Sequence, residues 1–449
     1  MNISVIGLGK LGLCTAACFA SKGHRVIGVD TNQHVLDQLR LKQCPIDEPG
    51  LEEFLGKSWG NLTVTDNACE AISNSEITLI IVPTPSRSDG KFANKYIENV
   101  LESLAPALKK KDSFHVIDVV STVMPGSCDS RFKPLLERIS GKACGVDFGL
   151  VYNPEFIALG SVIKDFLNPD MVLIGASDKC SGDMAKELYL STCESSPAIK
   201  VMSLINAEIT KLSLNCFVTM KISFANELAS ICEKVPGADI DAITDALGSD
   251  TRIGSKYLKG GLGFGGPCFP RDNQAFQAFA RESGIEPMLG PQVVAINSCV
   301  VDRLFDIISK NTNPGDKIAL LGLSYKPGTH IIEESQSIML AKRLIDSGFV
   351  VSVHDPKAMS AAKDVLGDNA GCFDDPYECI KNAAGIILLT NWQDYEALDW
   401  KLAGTLVKDR ALLIDSWRVF KNINFEEFRY LGLGIKLNFW GSRNKNHDL

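Results

Sequence analysis

The sequence predicts an α/β protein in which two doubly wound, Rossmann-like domains are joined by a long central helix and a helical domain. Three observations lead there. A short apolar strand run, Ile3 to Ile6, enters Gly7-Leu-Gly9-Lys-Leu-Gly12 directly, and a second strand run, Arg25 to Val29, ends in Asp30. Residues 206–233 then continue without a breaker until Pro236-Gly237, the length of one long helix. A second series of strand runs begins at Lys317 and carries no GxGxxG. With 449 residues the chain exceeds what one core organises. The expected division is 1–200, 201–311, 312–434 and a polar tail over 435–449.

Composition narrows the partners. A net charge of −8 argues against a general nucleic-acid or anionic-membrane surface and leaves room for a local basic pocket, so a small-molecule partner is expected. The fourteen cysteines include no CxxC pair and no Cys/His cluster of zinc spacing, so no metal is expected and a reduced, cytoplasmic setting fits best. The first residues read as a strand rather than a signal peptide, and no run of about twenty apolar residues follows. A soluble, unexported protein is expected.

The first glycines let backbone approach a pyrophosphate at a helix N-terminus, with the helix read over residues 13–21 and closed by Gly23. Asp30 can accept from both hydroxyls of an adenosine ribose, and it repels a 2′-phosphate for which Thr31 and Asn32 offer no positive charge. NAD is therefore expected in preference to NADP. Cys14 and Cys18, one turn apart, read as core packing. Further strand runs end in Pro83-Thr84-Pro85, Ser121-Thr122 and Asn153-Pro-Glu155-Phe156, and the carboxyl ends of parallel strands are where a ligand lies. Glu155 reads either as a carboxylate at the cofactor edge or as a cap on the next helix. Lys109 to Lys111 read as a solvated helix end.

On the long helix, Glu208, Lys211 and Asn215 share one stripe, flanked by Leu212, Leu214, Phe217, Val218, Ile222 and Phe224. That stripe is either an exposed ion-paired face or a polar strip held among apolar neighbours, where a lysine can act as acid or base. The stretch Gly261-Leu-Gly-Phe-Gly-Gly-Pro-Cys268-Phe-Pro-Arg-Asp272 places four glycines in six residues ahead of a cysteine. Its thiol is either a nucleophile held against substrate or a small apolar filler. Lys326 and Arg418 stand at strand ends of the second doubly wound unit as candidate phosphate partners.

Together these stretches resemble the UDP-glucose/GDP-mannose dehydrogenase family over nearly the whole chain. The likeness rests on Gly7-x-Gly9-x-x-Gly12 with Asp30, Thr84-Pro85, Ser121-Thr122, Asn153-Pro-Glu155-Phe156, Glu208-x-x-Lys211-x-x-x-Asn215, Asn226-Glu227, the Gly263 to Asp272 loop, Tyr325-Lys326-Pro327 and His354-Asp-Pro. The resemblance implies two NAD-dependent oxidations of a nucleotide-sugar C6 alcohol through a thioester on Cys268, with Lys211, Asn215, Asp272, Glu155 and Thr122 assisting. It places Gly7, Gly9, Leu11, Gly12, Asp30, Thr84, Thr122 and Glu155 at the cofactor. It places Glu155, Phe156, Lys211, Asn215, Arg252, Tyr257, Lys259, Gly265, Phe269, Tyr325, Lys326 and Arg418 at the substrate, with Arg252 reaching across a dimer. A homodimer or higher homo-oligomer is implied.

The pattern is not followed everywhere. Leu159 stands where many members carry a second glutamate, Pro267 where serine and Arg271 where lysine is usual. His330-Ile-Ile-Glu333-Glu-Ser replaces an Asp-Asp-x-Arg-Glu-Ser pattern, a change of charge sign that bears on sugar and base preference. UDP-glucose is the default substrate; GDP-mannose and a UDP-N-acetylhexosamine are the alternatives, beside a catalytically inactive nucleotide-sugar binder. A single-step 3-hydroxyacid dehydrogenase would need neither the thiol loop nor the second doubly wound domain. The role given to Asp30 predicts a KM for NAD below that for NADP in steady-state assays; an equal or lower KM for NADP would contradict it.

Overall fold

The computed structural model describes residues 1–436 apart from Ala158 and Asn424, so the expected tail lies outside the described residues from 437 onward. The chain divides into two compact units, Met1–Leu214 with Ala278–Gly284, and Asn215–Gln277 with the chain from Ile285.

The first unit is built on eight strands: β1 (Asn2–Ile6), β2 (Arg25–Val29), β3 (Leu62–Thr65), β4 (Ile77–Ile80), β5 (His115–Val119), β6 (Phe148–Tyr152), β7 (Met171–Ala176) and β8 (Ala198–Met202). Their order is β3-β2-β1-β4-β5-β6-β7-β8. The crossovers between β1 and β6 make a parallel sheet buried on both faces, which is why β4, β5 and β6 are apolar along most of their length. The direction reverses between β6 and β7, and β8 runs parallel to β7. Cys14 and Cys18 are fully buried in the helix Lys10–Ser21, as their spacing suggested, and that helix starts three residues before the apolar run that marked it.

In the second unit β9 (Lys317–Leu321), β10 (Val350–His354), β11 (Ala370–Cys372), β12 (Gly385–Leu388), β13 (Ala411–Asp415) and β14 (Phe428–Gly432) form an all-parallel sheet ordered β11-β10-β9-β12-β13-β14. This repeats the arrangement of β3 to β6, and the first turn is repeated in detail. Gly7 and Gly322 share a φ of +96°, and their amides donate to the carbonyls of Val29 (2.8 Å) and His354 (2.9 Å). The next amide, of Leu8 or Leu323, donates to Asp30 or Asp355 at 2.7 Å.

The two acids then diverge. Asp355 is buried, and its oxygens also receive the Ser324 amide and hydroxyl, the Lys357 and Ala358 amides and the Trp392 indole N–H. Such a carboxylate has no capacity left for a ribose. After Gly322 the next helix waits until Gln336–Asp346, so this turn does not run into a helix N-terminus as the first one does. A dinucleotide site is thus confined, among the described residues, to the first sheet.

The helix Leu204–Cys232 has the expected length. Lys111 departs from the solvated reading. Its ammonium donates to the carbonyls of Ile72 (2.8 Å), Ser73 (3.3 Å) and Ser75 (2.6 Å), closing the helix Ala68–Ser73, and burial lowers its pKa. A run of three lysines hides which one reaches back to a helix end thirty-odd residues earlier.

Candidate functional site

Three glycines around the first turn have different reasons to be glycine. A Cβ on Gly7 would lie 2.2 Å from the Ile81 carbonyl oxygen, and one on Gly12 would lie 1.8 Å from the Gly7 oxygen, so both permit backbone to pack on backbone. Gly9 is different: it is extended, caps the helix Lys10–Ser21, and a Cβ there would meet nothing within 4 Å. Space beside a helix N-terminus that no protein atom fills suits a pyrophosphate. Asp30 accepts from the Leu8 amide on one oxygen and the Asn32 amide (2.8 Å) on the other, and each oxygen keeps a lone pair for a ribose hydroxyl. These residues fit the dinucleotide, with half-buried Leu11 on the first turn of the helix. Across the strand ends the Thr84 hydroxyl donates to the Thr122 carbonyl at 2.8 Å, tying the loop after β4 to the one after β5.

Glu155 is not a helix cap. The next helix starts at Val162, and its entry is held by Glu48, whose carboxylate accepts the amides of Gly160 (2.9 Å) and Val162 (3.0 Å). Glu155 instead accepts the Tyr189 hydroxyl at 2.8 Å. Burial raises its pKa to about 7, against the opposing effects of that hydrogen bond and of the Lys211 charge. The Lys211 ammonium is buried, donates to the Glu155 carbonyl at 2.6 Å and lies 4.6 Å from the centre of the Phe156 ring. Glu208 is buried too, accepting the Gly126 amide at 2.6 Å and the Cys128 amide at 2.9 Å. The stripe on the long helix is therefore a buried polar strip and not an ion-paired surface. Neither Glu48 nor Tyr189 was marked in the sequence, because each acts on a partner more than thirty residues away.

In the second unit the glycine loop is read by its neighbours. Asn226 accepts the Gly261 amide (2.8 Å), Gln336 that of Gly263 (2.7 Å), Asn297 that of Phe264 (2.7 Å), and the Glu333 carbonyl that of Gly266 (3.0 Å). A Cβ on Gly263 would collide with Asn297 and Gln336 at 2.1 and 2.3 Å, and one on Gly265 with the Glu334 carbonyl at 2.3 Å. Gly266, at φ +80°, lies against the Tyr325 ring. The loop delivers Cys268 to the start of the helix Phe269–Glu282, where the Cys268 carbonyl accepts the Asp272 amide at 2.9 Å. The Asp272 carboxylate is buried and accepts the Asn215 side-chain amide at 2.6 Å.

Only Cys180, Cys268 and Cys299 are exposed among the fourteen cysteines. Burial raises the thiol pKa of Cys14, Cys216 and Cys379 to about 12, keeping them protonated and inert. Cys299 lies inside the helix Leu289–Asn311, and Cys180 lies in the first turn of the helix Lys179–Thr192, which the Asp178 carboxylate already caps. Of the three, Cys268 alone combines exposure, a glycine loop and a place directly before a helix.

The other expected substrate residues fall into two groups. Phe269 packs edge-on against Tyr257 at 6.3 Å and Phe264 at 6.4 Å, and Tyr257 holds a φ of +61°. Lys326 lies 5.9 Å from the centre of the Tyr325 ring beside Gly265 and Gly266, and Lys259 is exposed. Arg252 is exposed and pairs with Asp250. Arg418 stands apart: buried, at φ +59°, it forks onto Asp241 at 2.9 and 3.0 Å and donates to the carbonyls of Gly260, Ser416 and Leu433. Here it pins the start of the glycine loop. Asn297, Gln336 and Asp241 are the partners the sequence did not mark.

Family models of the UDP-glucose/GDP-mannose dehydrogenase family match in order along the chain: the NAD binding domain over residues 1–192, the central domain over 205–299 and the UDP binding domain over 319–422. The chain is 35% identical over 402 residues to the UDP-glucose 6-dehydrogenase AglM of Haloferax volcanii, covering 89% of this chain and 93% of that protein. It is 37% identical over 359 residues to the GDP-mannose 6-dehydrogenase of Azotobacter vinelandii, covering 79% and 81%. A UDP-glucose dehydrogenase structure from Pyrobaculum islandicum superimposes with a TM-score of 0.87 at 34% identity, over 96% of this chain and 97% of that one. Among the described residues no helix is long and apolar enough to cross a membrane.

The contrast between the glycines is testable. Gly9→Ala should fold with an unchanged Tm and bind NAD about tenfold or more weakly in calorimetry. Gly12→Ala should lower stability itself, by about 1–3 kcal/mol or more in denaturant melts. Equal effects of the two would remove the argument that the space at Gly9 is kept for the cofactor.

Proposed function

The chain belongs to the UDP-glucose/GDP-mannose dehydrogenase family, and on that premise we propose that it oxidises the C6 alcohol of UDP-glucose to the carboxylate in two steps through a thioester on Cys268. The protein is an NAD-dependent nucleotide-sugar 6-dehydrogenase. The observation that carries the finer reading is the chain of contacts at the second unit's helix start: Cys268 to Asp272 through the backbone, and Asp272 to Asn215 through its carboxylate. UDP-glucose is favoured by the Haloferax relative and the Pyrobaculum structure, which cover 89% and 96% of this chain.

Bound NAD supplies the hydride acceptor for each oxidation. The C6 hydroxyl gives up its proton to Asp272 through a water, with Lys211 placed to assist at the C6 oxygen. The Cys268 thiolate adds to the aldehyde carbon, and Lys211 and Asn215 stabilise the oxyanion of the thiohemiacetal. Once the thioester has formed, a water ordered by Thr122, Glu155 and Asp272 attacks its carbonyl, releasing the carboxylate and returning the thiol. Alcohol, water and two NAD thus become carboxylate, two NADH and three protons. The covalent step keeps the aldehyde from escaping.

The three-part division at 200 and 311, with the second doubly wound domain over 312–434 holding the nucleotide, belongs to this reading, as does a homodimer built on the long helix. In it Tyr257, Lys259, Gly265, Phe269 and Tyr325 surround the nucleotide-sugar, Lys326 and Arg418 hold the diphosphate, and Arg252 comes from the second copy. For Arg418 that role requires release from Asp241, since all its donors are engaged in this structure.

A panel of UDP- and GDP-sugars scored for NADH per molecule consumed should give two for UDP-glucose; a yield of one points to a single-step dehydrogenase, and no NADH with any sugar to an inactive binder. Cys268→Ser should abolish release of the uronate with substrate affinity nearly unchanged, and uronate at the wild-type rate would end the thioester scheme. Lys211→Ala should lower kcat by about 10²-fold or more. Glu155 is neutral below and charged above a pKa of about 7, so thioester hydrolysis that uses its carboxylate should accelerate as pH rises through about 7. Glu155→Gln should lose that acid limb.

A further inference from the structure

A second acid lies buried near Glu155. Asp118, in β5, has no solvent exposure, and neither of its carboxylate oxygens has a hydrogen-bond partner. Alternation along β5 puts it on the same face as Val116 and Val120, which pack in the apolar cluster that also contains Phe19, Phe166 and Tyr189. Tyr189 is held by those rings, edge-on to Phe19 at 6.0 Å and tilted against Phe166 at 5.9 Å. Its hydroxyl has one acid to serve, and it donates to Glu155.

Two carboxyl groups in one apolar surrounding do not both ionise, because the second charge would meet both desolvation and the first. Which one carries the charge is decided by hydrogen-bond donors. Glu155 has the Tyr189 hydroxyl and the nearby Lys211 ammonium; Asp118 has no donor. We propose that Tyr189 and Asp118 are positioning residues for Glu155: the hydroxyl keeps the single negative charge on Glu155 and fixes its carboxylate, while Asp118 stays protonated on the strand face that packs in the same cluster as Tyr189.

The remaining groups that face this pair leave the assignment intact. Cys18 from the helix Lys10–Ser21, Cys193 beyond the helix Lys179–Thr192, and Cys128 towards Asp118 are thiols whose pKa burial raises, so none adds charge near neutrality. Of the cations, Lys211 acts on Glu155, whereas Lys22 acts on Cys18 and Cys193. Burial first, and the Glu155 charge second, hold the Asp118 pKa well above the usual carboxylate range. Such a group destabilises the fold as pH rises from its unfolded value towards its folded one, since the folded state retains a proton that the unfolded chain gives up. Nothing in packing alone accounts for keeping it, because an apolar residue of that size would be neutral or stabilising.

The proposal rests on the role given above to Glu155, and its test separates the two. Infrared difference spectra across a pH titration read the C=O stretch of protonated carboxyls without any turnover. In the wild-type protein one buried band should vanish as pH rises through about 7, and a second should persist at about pH 8. Asp118→Asn and Asp118→Val should each remove the persistent band, the valine variant guarding against an amide that packs badly. Tyr189→Phe should move the titrating band up by about one pH unit or more, and the acid limb of kcat with it.

A persistent band that survives in both Asp118 variants, or a titrating band unmoved in Tyr189→Phe, overturns the proposal. Bands that behave as stated beside an unshifted rate profile would uphold it and contradict the hydrolytic role of Glu155.

Discussion

The constraint on which the rest depends is steric. The stretch from Gly261 to Gly266 lies so close to Glu334, Tyr325, Asn297 and Gln336 that a single methyl group at Gly263 or Gly265 would occupy another atom's place. Because the loop cannot carry side chains there, its backbone amides are bonded directly by Asn226, Gln336, Asn297 and the Glu333 carbonyl. A loop held at four points does not wander, and its end is Cys268. The thiol's position is thus set by backbone packing against elements far away in sequence.

The same economy appears twice in the first unit. Gly7 and Gly12 let backbone meet backbone, whereas Gly9 of the three borders space that no protein atom fills. The segment after β6 is fastened by Glu48 on one side and by Tyr189 and Lys211 on the other, so Glu155 is presented in a fixed orientation rather than on a loose loop. The second sheet repeats the first turn with the same glycine geometry and a matching aspartate. It diverges where function would require: the acid is saturated by amides, a hydroxyl and an indole.

Much of this was legible in the residues, and what was not has a common cause. Strand runs, the glycine turn with Asp30, the long helix and the cysteine loop are local patterns, and each lies where the pattern put it. Glu208 was visible on its stripe, but whether that stripe faced solvent depended on Gly126 and Cys128, some eighty residues earlier. Tyr189, Glu48, Asn297 and Gln336 look like ordinary helix and turn residues until the fold brings their partners. The guanidinium of Arg418 was recognisable as an anion's partner at a strand end, whereas its engagement with Asp241 spans 177 residues. Long-range pairing of side chains carries no periodicity, and periodicity is what a single sequence displays.

If the loop exists to hold one sulfur for acyl transfer, that sulfur must carry the substrate during turnover. The direct measurement is mass spectrometry of peptides from enzyme acid-quenched in the steady state with UDP-glucose and NAD. The account predicts the acyl adduct of the nucleotide-sugar on the peptide containing Cys268, and its absence in Cys268→Ser. An adduct on Cys180 or Cys299, or uronate formed with no labelled peptide at any time point, would contradict it.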